Sequence, residues 1–308
     1  MAVLALDIGA TKFAAGRVDE MGRVHAVRRA PVPRTEVWPV CRGLLHEVAD
    51  GAPVTAVGIG SAGPVNVPSG VTAPLNIPEW RNGFPIVSAV EELFPDAAVR
   101  FAVDGACLAL AECASGALQG VRNALAMTVS SGIGGGTVVD GRVSLGRTGN
   151  AGHIGHIVVP GWEVPCACGG VGCVEAVASG MSSARWAREQ GWTGATGVEL
   201  AAAARAGEPI AVAALDRAGT ALGQAISSAA ALLDIDTVVV GGGFAHAGEP
   251  LWRPLRAAVA RHAGLSFVRG LQVQLSGLDD GATLVGAAVL AHSRTDPFTT
   301  PEVAQPAG

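Results

Sequence analysis

Three of the chain's six cysteines, Cys166, Cys168 and Cys173, stand in one short stretch, with His156 upstream of them. Three thiolates and one imidazole at this spacing make a closed tetrahedral Cys3His set, the donor set of a structural zinc ion rather than a catalytic one. A disulfide would need an oxidising compartment, and no export signal argues for one. Glu175 follows the last of these ligands by two residues. A metal loop would fix its carboxylate where it can accept hydrogen bonds from sugar-like hydroxyls, although a solvated glutamate is the plainer alternative. Cys41, Cys107 and Cys113 read as core-filling thiols.

A second group of residues suits phosphate. In Asp7-Ile-Gly9-Ala-Thr11-Lys12 a carboxylate at a strand end stands beside a turn of backbone N–H groups. Such a turn can cradle phosphate oxygens while Asp7 holds Mg2+ through water. An ordinary hairpin with Gly9 at positive φ would use the same residues. Ser131-Gly132-Ile-Gly134-Gly135-Gly136 repeats the pattern, since glycines let backbone approach a phosphate closely. It matches neither the dinucleotide fingerprint nor the P-loop. Gly241-Gly242-Gly243 is a third backbone platform, suited to lying under a nucleotide base. Asp104 follows an apolar run and precedes a helical one. At the carboxyl end of a strand it faces the crevice where α/β proteins bind ligands, and it can take a proton from a hydroxyl attacking phosphorus. A helix N-cap would call for the same residue, and both readings stand at this point.

These residues need elements to hold them. Val3–Asp7 and Phe13–Val18 read as a hairpin, Thr55–Ile59 as a strand, Pro85–Leu93 as a helix, Ala98–Val103 as a strand and Cys107–Ser115 as a helix. The pattern then restarts: strand Ala124–Ser130, a turn at Gly132–Gly136, and a returning strand Thr137–Val139. Three helices fit between Ser179 and Leu233. Beyond them come a buried strand Thr237–Val240, a helix Leu251–His262, a strand Leu271–Leu275 and a closing helix Ala282–His292. Strand, glycine turn, strand at the start of each half predicts two similar α/β halves. The tail 294–308 is expected to fray.

Composition removes other classes. With 308 residues, 49% hydrophobic and 15% charged, the chain has ample material for a folded core. The net charge of −5 and the absence of any Lys/Arg cluster exclude a general nucleic-acid binder. Asp7 ends the first apolar run, and Asp234 and Asp236 break the stretch Ala225–Val240, so no spanning segment is predicted. A cytoplasmic protein is expected.

Taken together the motifs resemble the ROK family of repressors, open reading frames and sugar kinases, within the actin-like ATPase superfamily. The resemblance covers about residues 3–292. It rests on Leu6-Asp-Ile-Gly-Ala-Thr-Lys12, Gly58-Ile-Gly60…Gly63, Asn76-Ile-Pro78-x-Trp80, Gly132-Ile-Gly-Gly-Gly136 and Gly149-Asn-Ala-Gly152-x-x-Gly155-His156. It continues through Cys166-x-Cys168-Gly-x-x-Gly172-Cys173-x-Glu175 to Gly180.

The resemblance implies a two-lobed actin-like (ribonuclease H-like) α/β fold with a cleft between the lobes. One lobe would span 1–115 joined by the closing helix 281–293, the other 116–280 with the zinc loop. It implies Mg-ATP-dependent phosphorylation of a hexose-like hydroxyl, with Asp104 as the base and one structural zinc. Asp7, Gly9, Thr11, Lys12, Ser131, Gly132, Gly134, Gly135, Gly242 and Gly243 would face ATP. Gly63, Asn76, Val103, His153, His156 and Glu175 would face the sugar. A homodimer or larger homo-oligomer is expected, with no nucleic-acid or membrane partner. The first phosphate turn begins at Asp7, which leaves no room for the helix-turn-helix that repressor members carry ahead of it.

Two departures bear on the acceptor. Family sugar kinases usually carry Asn just before the catalytic Asp and Glu three residues before the zinc-ligand His; here these are Val103 and His153. Val deletes a donor and an acceptor, and His removes a bidentate acceptor. Asn66 also stands where Asp is common, and Ala62 where Pro is common. The expected acceptor is therefore a modified hexose or a glucose-like cyclitol, a cationic amino sugar being disfavoured by the lost carboxylate. Ordinary glucokinase activity is the alternative, and a catalytically silent sugar-binding protein the second alternative.

Overall fold

The computed structural model describes residues 1–278, 281–293 and Phe298. The expectation of a frayed tail falls outside the described residues, Phe298 apart. Strands β1 (Ala2–Ile8), β2 (Lys12–Val18), β3 (Val24–Pro31), β4 (Val54–Ser61) and, beyond the short hairpin of β5 (Val65–Asn66) and β6 (Val71–Thr72), β7 (Ala98–Val103) supply the first large sheet. Its order is β3-β2-β1-β4-β7, antiparallel through β3, β2 and β1, and parallel through β1, β4 and β7. Strands β8 (Ala124–Val129), β9 (Ile133–Val139), β10 (Arg142–Ser144), β11 (Thr237–Gly241) and β12 (Gln272–Leu275) form the second sheet. Its order, β10-β9-β8-β11-β12, repeats the same succession of antiparallel and parallel pairs. The two α/β halves expected from the repeated motif are one topology used twice.

The helices are α1 (Val37–Ala49), α2 (Ile86–Leu93), α3 (Asp104–Ser115), α4 (Val174–Ala178), α5 (Gly180–Glu189), α6 (Gly197–Arg205), α7 (Pro209–Leu233), α8 (Glu249–His262) and α9 (Ala282–His292). Helix α1 packs on β1, β2 and β3, and α9 packs on β1 and β4. With cover on both faces, the central strands are apolar almost throughout, as Ala2-Val-Leu-Ala-Leu6 illustrates. In β8 the alternation of strand side chains divides the core. Ala124 and Ala126 face the interior shared with the first sheet, while Leu125, Met127 and Val129 face the cluster built from the helices after the metal loop.

Helix α3 reads Asp-Gly-Ala-Cys-Leu-Ala-Leu-Ala-Glu-Cys-Ala-Ser, and eight consecutive residues of it, Gly105–Glu112, are buried. An apolar helix without a polar face belongs inside a protein, and α3 lies against β8 and β9 of one sheet, β4 and β7 of the other, and α9. No helix among the described residues is long and apolar enough to cross a membrane.

Three expectations are corrected. The glycines at 134–136 are not a turn. The turn is Ser130–Gly132, and β9 begins at Ile133, so these glycines lie within a strand. They are there because α3 presses on them: a Cβ on Gly105 would sit 2.0 Å from the Gly135 carbonyl oxygen, and one on Gly136 would sit 2.3 Å from that of Gly105. The edge strand β3 was not read as a strand, because His25, Arg28 and Arg29 break the apolar pattern and a register shift interrupts its pairing with β2. Cys113 is only partly buried, whereas Cys41 and Cys107 fill the core.

The crossing of α3 and α9 is equally close. A Cβ on Gly286 would lie 1.8 Å from the Cys107 carbonyl oxygen. Backbone cannot yield as a flexible side chain can, so Gly286→Ala is expected to cost at least about 1–3 kcal/mol of stability. A fall in the urea midpoint at constant activity per folded molecule checks this; an unchanged midpoint overturns it.

Candidate active site

Between the two sheets runs a cleft. Its walls include Asp7, Gly9, Thr11, Lys12, Gly63, Asn76, Asp104, Ser131, Gly132, Gly134, His153, His156, Glu175 and Gly242. A second cavity adjoins it through Asp7, Lys12, Thr128, Gly242 and Thr283, which line both. That cavity also takes in Gly243, Arg29, His246, Ser276 and Leu278.

Each wall follows from local chain chemistry. The β1–β2 turn closes through the Gly9 N–H on the Lys12 carbonyl at 3.1 Å. A Cβ at Gly9 would come within 2.8 Å of that same oxygen, so only glycine fits. At the second turn, the Ser130 N–H bonds the Gly132 carbonyl at 2.9 Å and the Gly180 N–H bonds the Ser130 carbonyl at 2.8 Å. The third platform follows β11: Gly242 has φ +90°, and a Cβ there would press on Thr128 Oγ1 at 2.6 Å. These turns bring backbone to a space that both Lys12 and Asp7 also line. That donor set fits the phosphates of a nucleotide with a water-bridged Mg2+ on Asp7.

Asp104 is the first residue of α3, with Val103 in the cap position, so the N-cap alternative does not hold. Its Oδ1 accepts the Gly105 N–H at 2.7 Å. Burial pushes its carboxyl up from the ordinary 3.8 to about 6; the Gly105 N–H opposes this and the Glu175 charge adds to it. Asp7, Lys12, His153, His156 and Glu175 are the charged or titratable groups facing the same cleft.

The loop carrying Asn76 is anchored from beneath. Ile77 and Trp80 are fully buried. Trp80 stacks on Phe84 at 4.4 Å and on Phe13 at 6.3 Å between ring centroids. Glu79 accepts the Glu36 and Val37 N–H groups at 2.6 and 3.0 Å, at the start of α1. Opposite, Glu175 Oε2 accepts the Ile133 N–H at 2.8 Å, so this carboxylate fastens the start of β9 as well as facing the cleft. The His153 and His156 rings lie 4.9 Å apart. Burial, and then the neighbouring His156, hold His153 down at about 4, which leaves it uncharged at neutral pH.

The sulfur cluster is formed as the spacing implied. The donor atoms of His156, Cys166, Cys168 and Cys173 all lie within 4.8 Å of one another. His156 Nδ1 is 3.7 Å from Cys166 Sγ, and Cys168 Sγ is 3.7 Å from Cys173 Sγ. Tetrahedral zinc with Zn–S bonds of about 2.3 Å requires sulfurs about 3.8 Å apart, so the donors fit that ion.

Two predicted contact residues do not line the cleft. Gly135 lies beneath α3, where its would-be Cβ meets the Gly152 and Ala126 carbonyl oxygens at 2.8 and 2.9 Å. Val103 is buried behind Gly63: a Cβ on Gly63 would be 3.3 Å from Val103 Cγ2 and 3.1 Å from His153 Cε1. Conversely, Thr128, Arg29, His246, Ser276 and Thr283 were missed. Arg29 was hidden with its strand, although the pairings Asp7 with Ala14 and Ala14 with Arg29 set the three in one cross-strand row.

Asp104 yields a test independent of turnover. A carboxyl raised in the folded state favours folding while protonated, below about pH 4, and loses that contribution as pH rises through about 6. Asp104→Asn is therefore expected to be more stable than the parent by on the order of 1–3 kcal/mol at pH 8, the gain vanishing toward pH 4. Parallel denaturation curves at the two pH values check it; an equal effect at both rejects the buried-charge account.

The ROK family model matches residues 3–294. The chain is 32% identical to the glucokinase of Thermotoga maritima, over 95% of this chain and 98% of that protein. It is 37% identical to the kanosamine kinase of Amycolatopsis mediterranei, over 74% and 78% respectively. A crystal structure of a ROK family glucokinase from Streptomyces griseus in complex with glucose and AMPPNP is similar with a TM-score of 0.83 at 32% identity, covering 94% of this chain and 99% of that one. With the match running from β1 through α9 and the likeness extending over both sheets, the chain belongs to the ROK family.

Proposed function

We propose that the chain transfers the γ-phosphoryl group of ATP to a hydroxyl of a modified hexose or glucose-like cyclitol, with Asp104 as the base. As a ROK-family enzyme it is an ATP-dependent sugar kinase. The observation that carries the residue-level reading is the meeting of Asp104, the two glycine turns and the His156–Glu175 wall in one cleft. In this reading 1–115 with α9 is one lobe and 116–280 the other.

The acceptor hydroxyl, held by Asn76, His153, His156 and Glu175, gives its proton to an Asp104 oxygen as its own oxygen bonds the γ-phosphorus. The bond from that phosphorus to the bridging oxygen breaks, and ADP leaves with the electron pair. A carboxyl near 6 is ionised at pH 7 yet basic enough to share the proton in the transition state. Lys12 and the backbone at Thr11, Ser131, Gly132, Gly242 and Gly243 would neutralise and orient the phosphates, while Gly9 and Gly134, lacking side chains, leave room for them. Asp7 would hold Mg2+ through water, and that ion supplies further charge neutralisation. Zinc on His156, Cys166, Cys168 and Cys173 would stay outside the chemistry and fix His156 and Glu175.

The acceptor reading rests on Val103 and His153. An apolar side chain behind Gly63 and an imidazole in place of a carboxylate remove partners that a sugar hydroxyl would use, at about 1–3 kcal/mol for each group left unpaired. Similarity to glucokinases favours glucose as the second reading.

An ADP-release assay with Mg-ATP across glucose, mannose, amino and N-acetylated hexoses and cyclitols tests both. A modified acceptor should turn over best; glucose at least as efficient as every other makes this an ordinary glucokinase. Silence on all acceptors, with the protein folded, favours a silent binder. On the best acceptor, kcat/KM should fall below a pH near 6, and Asp104→Asn should lose at least 1000-fold in kcat, on the order of general-base loss. Retention of most of kcat removes the base assignment.

The metal is tested separately. Elemental analysis should give about one zinc per chain. Cys168→Ser or chelation should lower thermal stability and acceptor affinity together. Full acceptor affinity without metal would detach the loop from the site.

A further inference from the structure

Helix α3 carries a second acid, Glu112, two turns beyond Asp104 and outside the cleft. It is completely buried, at 0% exposure, and both of its oxygens are engaged. Oε2 accepts the Ala117 N–H at 2.8 Å, just past the end of α3, and Oε1 accepts the hydroxyl of Ser276. Ser276 is itself 5% exposed and follows β12, far away in sequence.

The serine hydroxyl works in both directions. It donates to Glu112 and accepts the Leu278 N–H at 3.0 Å, while the Ser276 N–H bonds the Val240 carbonyl at 2.9 Å. Ser276 and Leu278 both line the cavity that adjoins the cleft. Ser276 also backs the third glycine platform: a Cβ on Gly241 would sit 3.3 Å from Ser276 Cβ and 4.0 Å from Leu108 of α3. One continuous chain of contacts therefore runs from the helix that begins with Asp104, through Glu112 and Ser276, to the wall of that cavity.

The donor count makes the carboxylate specific. Two donors, an amide and a hydroxyl, converge on Glu112, and an ionised carboxylate has acceptors for both. A glutamine there would turn its NH2 group toward one of them, and the serine proton would lose its acceptor. Burying a carboxylate only to hold a helix end is costly when an apolar side chain would pack as well.

We infer that Ser276, held by Glu112, is a positioning residue for the phosphate donor: the pair fixes the nucleotide-side loop at 276–278 in register with the helix that presents Asp104. This rests on the kinase reading above. Neither residue touches the reacting atoms.

The test uses Mg-ADP as the probe and calorimetry on the full chain. Wild type should bind Mg-ADP; failure to bind would sink the kinase reading and this inference with it. Ser276→Ala should weaken Mg-ADP at least fivefold, Ser276→Thr should restore it to within twofold of wild type, and Glu112→Gln should behave like the alanine variant. Wild-type binding with an unchanged Ser276→Ala affinity leaves the kinase reading intact and overturns the strut, and a lowered melting temperature alone does the same. Should the variants not fold, hydrogen exchange of the wild type decides. Mg-ADP must then protect the Leu278 amide and the α3 amides together, and protection of one without the other overturns the inference.

Discussion

The backbone of α3 lies directly on the backbone of β9, and the site depends on that contact. A Cβ on Gly136 would sit 2.3 Å from the Gly105 carbonyl oxygen, and Gly135 supplies a carbonyl oxygen at 2.0 Å from where a Gly105 side chain would begin. One consequence is the depth of Asp104, the residue just before Gly105, at the cleft floor beside Gly134: a Cβ there would be 3.5 Å from Asp104 Oδ1. A second is that the two sheets share an interior. Leu6 and Ile59 of the first sheet and Ala126, Val138 and Val239 of the second belong to one buried cluster with α3. Interiors this dense tolerate few added atoms, so Asp104 is located by packing rather than by a flexible loop.

The His153–Glu175 wall of the cleft is positioned differently, by polar contacts that join separate segments. Glu175 connects the first turn of α4, directly after Cys173, to the N–H of Ile133, the residue after the Ser130–Gly132 turn. Across the cleft, the Asn150 side chain accepts the Val65 N–H at 2.9 Å and donates to the Val65 carbonyl at 2.7 Å, pairing with β5 as a neighbouring strand would. The Val67 N–H bonds the Thr148 carbonyl at 2.9 Å beside it. The loop bearing His153 is thereby fastened to the β5–β6 hairpin that follows β4. Each such bond contributes about 0.5–1.5 kcal/mol net, less than the packing of α3, and together they set direction more than stability.

What the sequence made legible divides along the same line. The Cys3His cluster, the place of Asp104 at the cleft and the paired strand–turn–strand starts were readable because their signal is local: donor types at tight spacing, a carboxylate after an apolar run, glycines after strands. The glycines at 134–136 were misread as a turn because glycine serves both positive φ and close approach, and only the partner helix distinguishes the two. Val103 and Gly135 were read as contact residues by resemblance, yet each lies one layer behind the surface. Arg29, Ser276 and Thr283 left no local trace, since cross-strand pairing and the return of the chain after β12 bring them to the cavity. The contact of Ser276 with Glu112 emerges only when positions 164 residues apart are seen to be hydrogen-bonded.

That pair also clarifies Asp104. The same helix holds two acids, Asp104 at the cleft and Glu112 buried, and their surroundings differ. Glu112 is sealed, with a donor on each oxygen, and has no lone pair turned toward a ligand. Asp104 takes the Gly105 N–H on one oxygen, faces the cleft, and feels Glu175 rather than a cation as its principal charged neighbour. A carboxylate given matching donors is structural; one kept short of them holds its proton to a higher pH. The chain thus raises the Asp104 carboxyl by withholding partners at the first turn of α3, and sets the height of that turn by supplying them at the third.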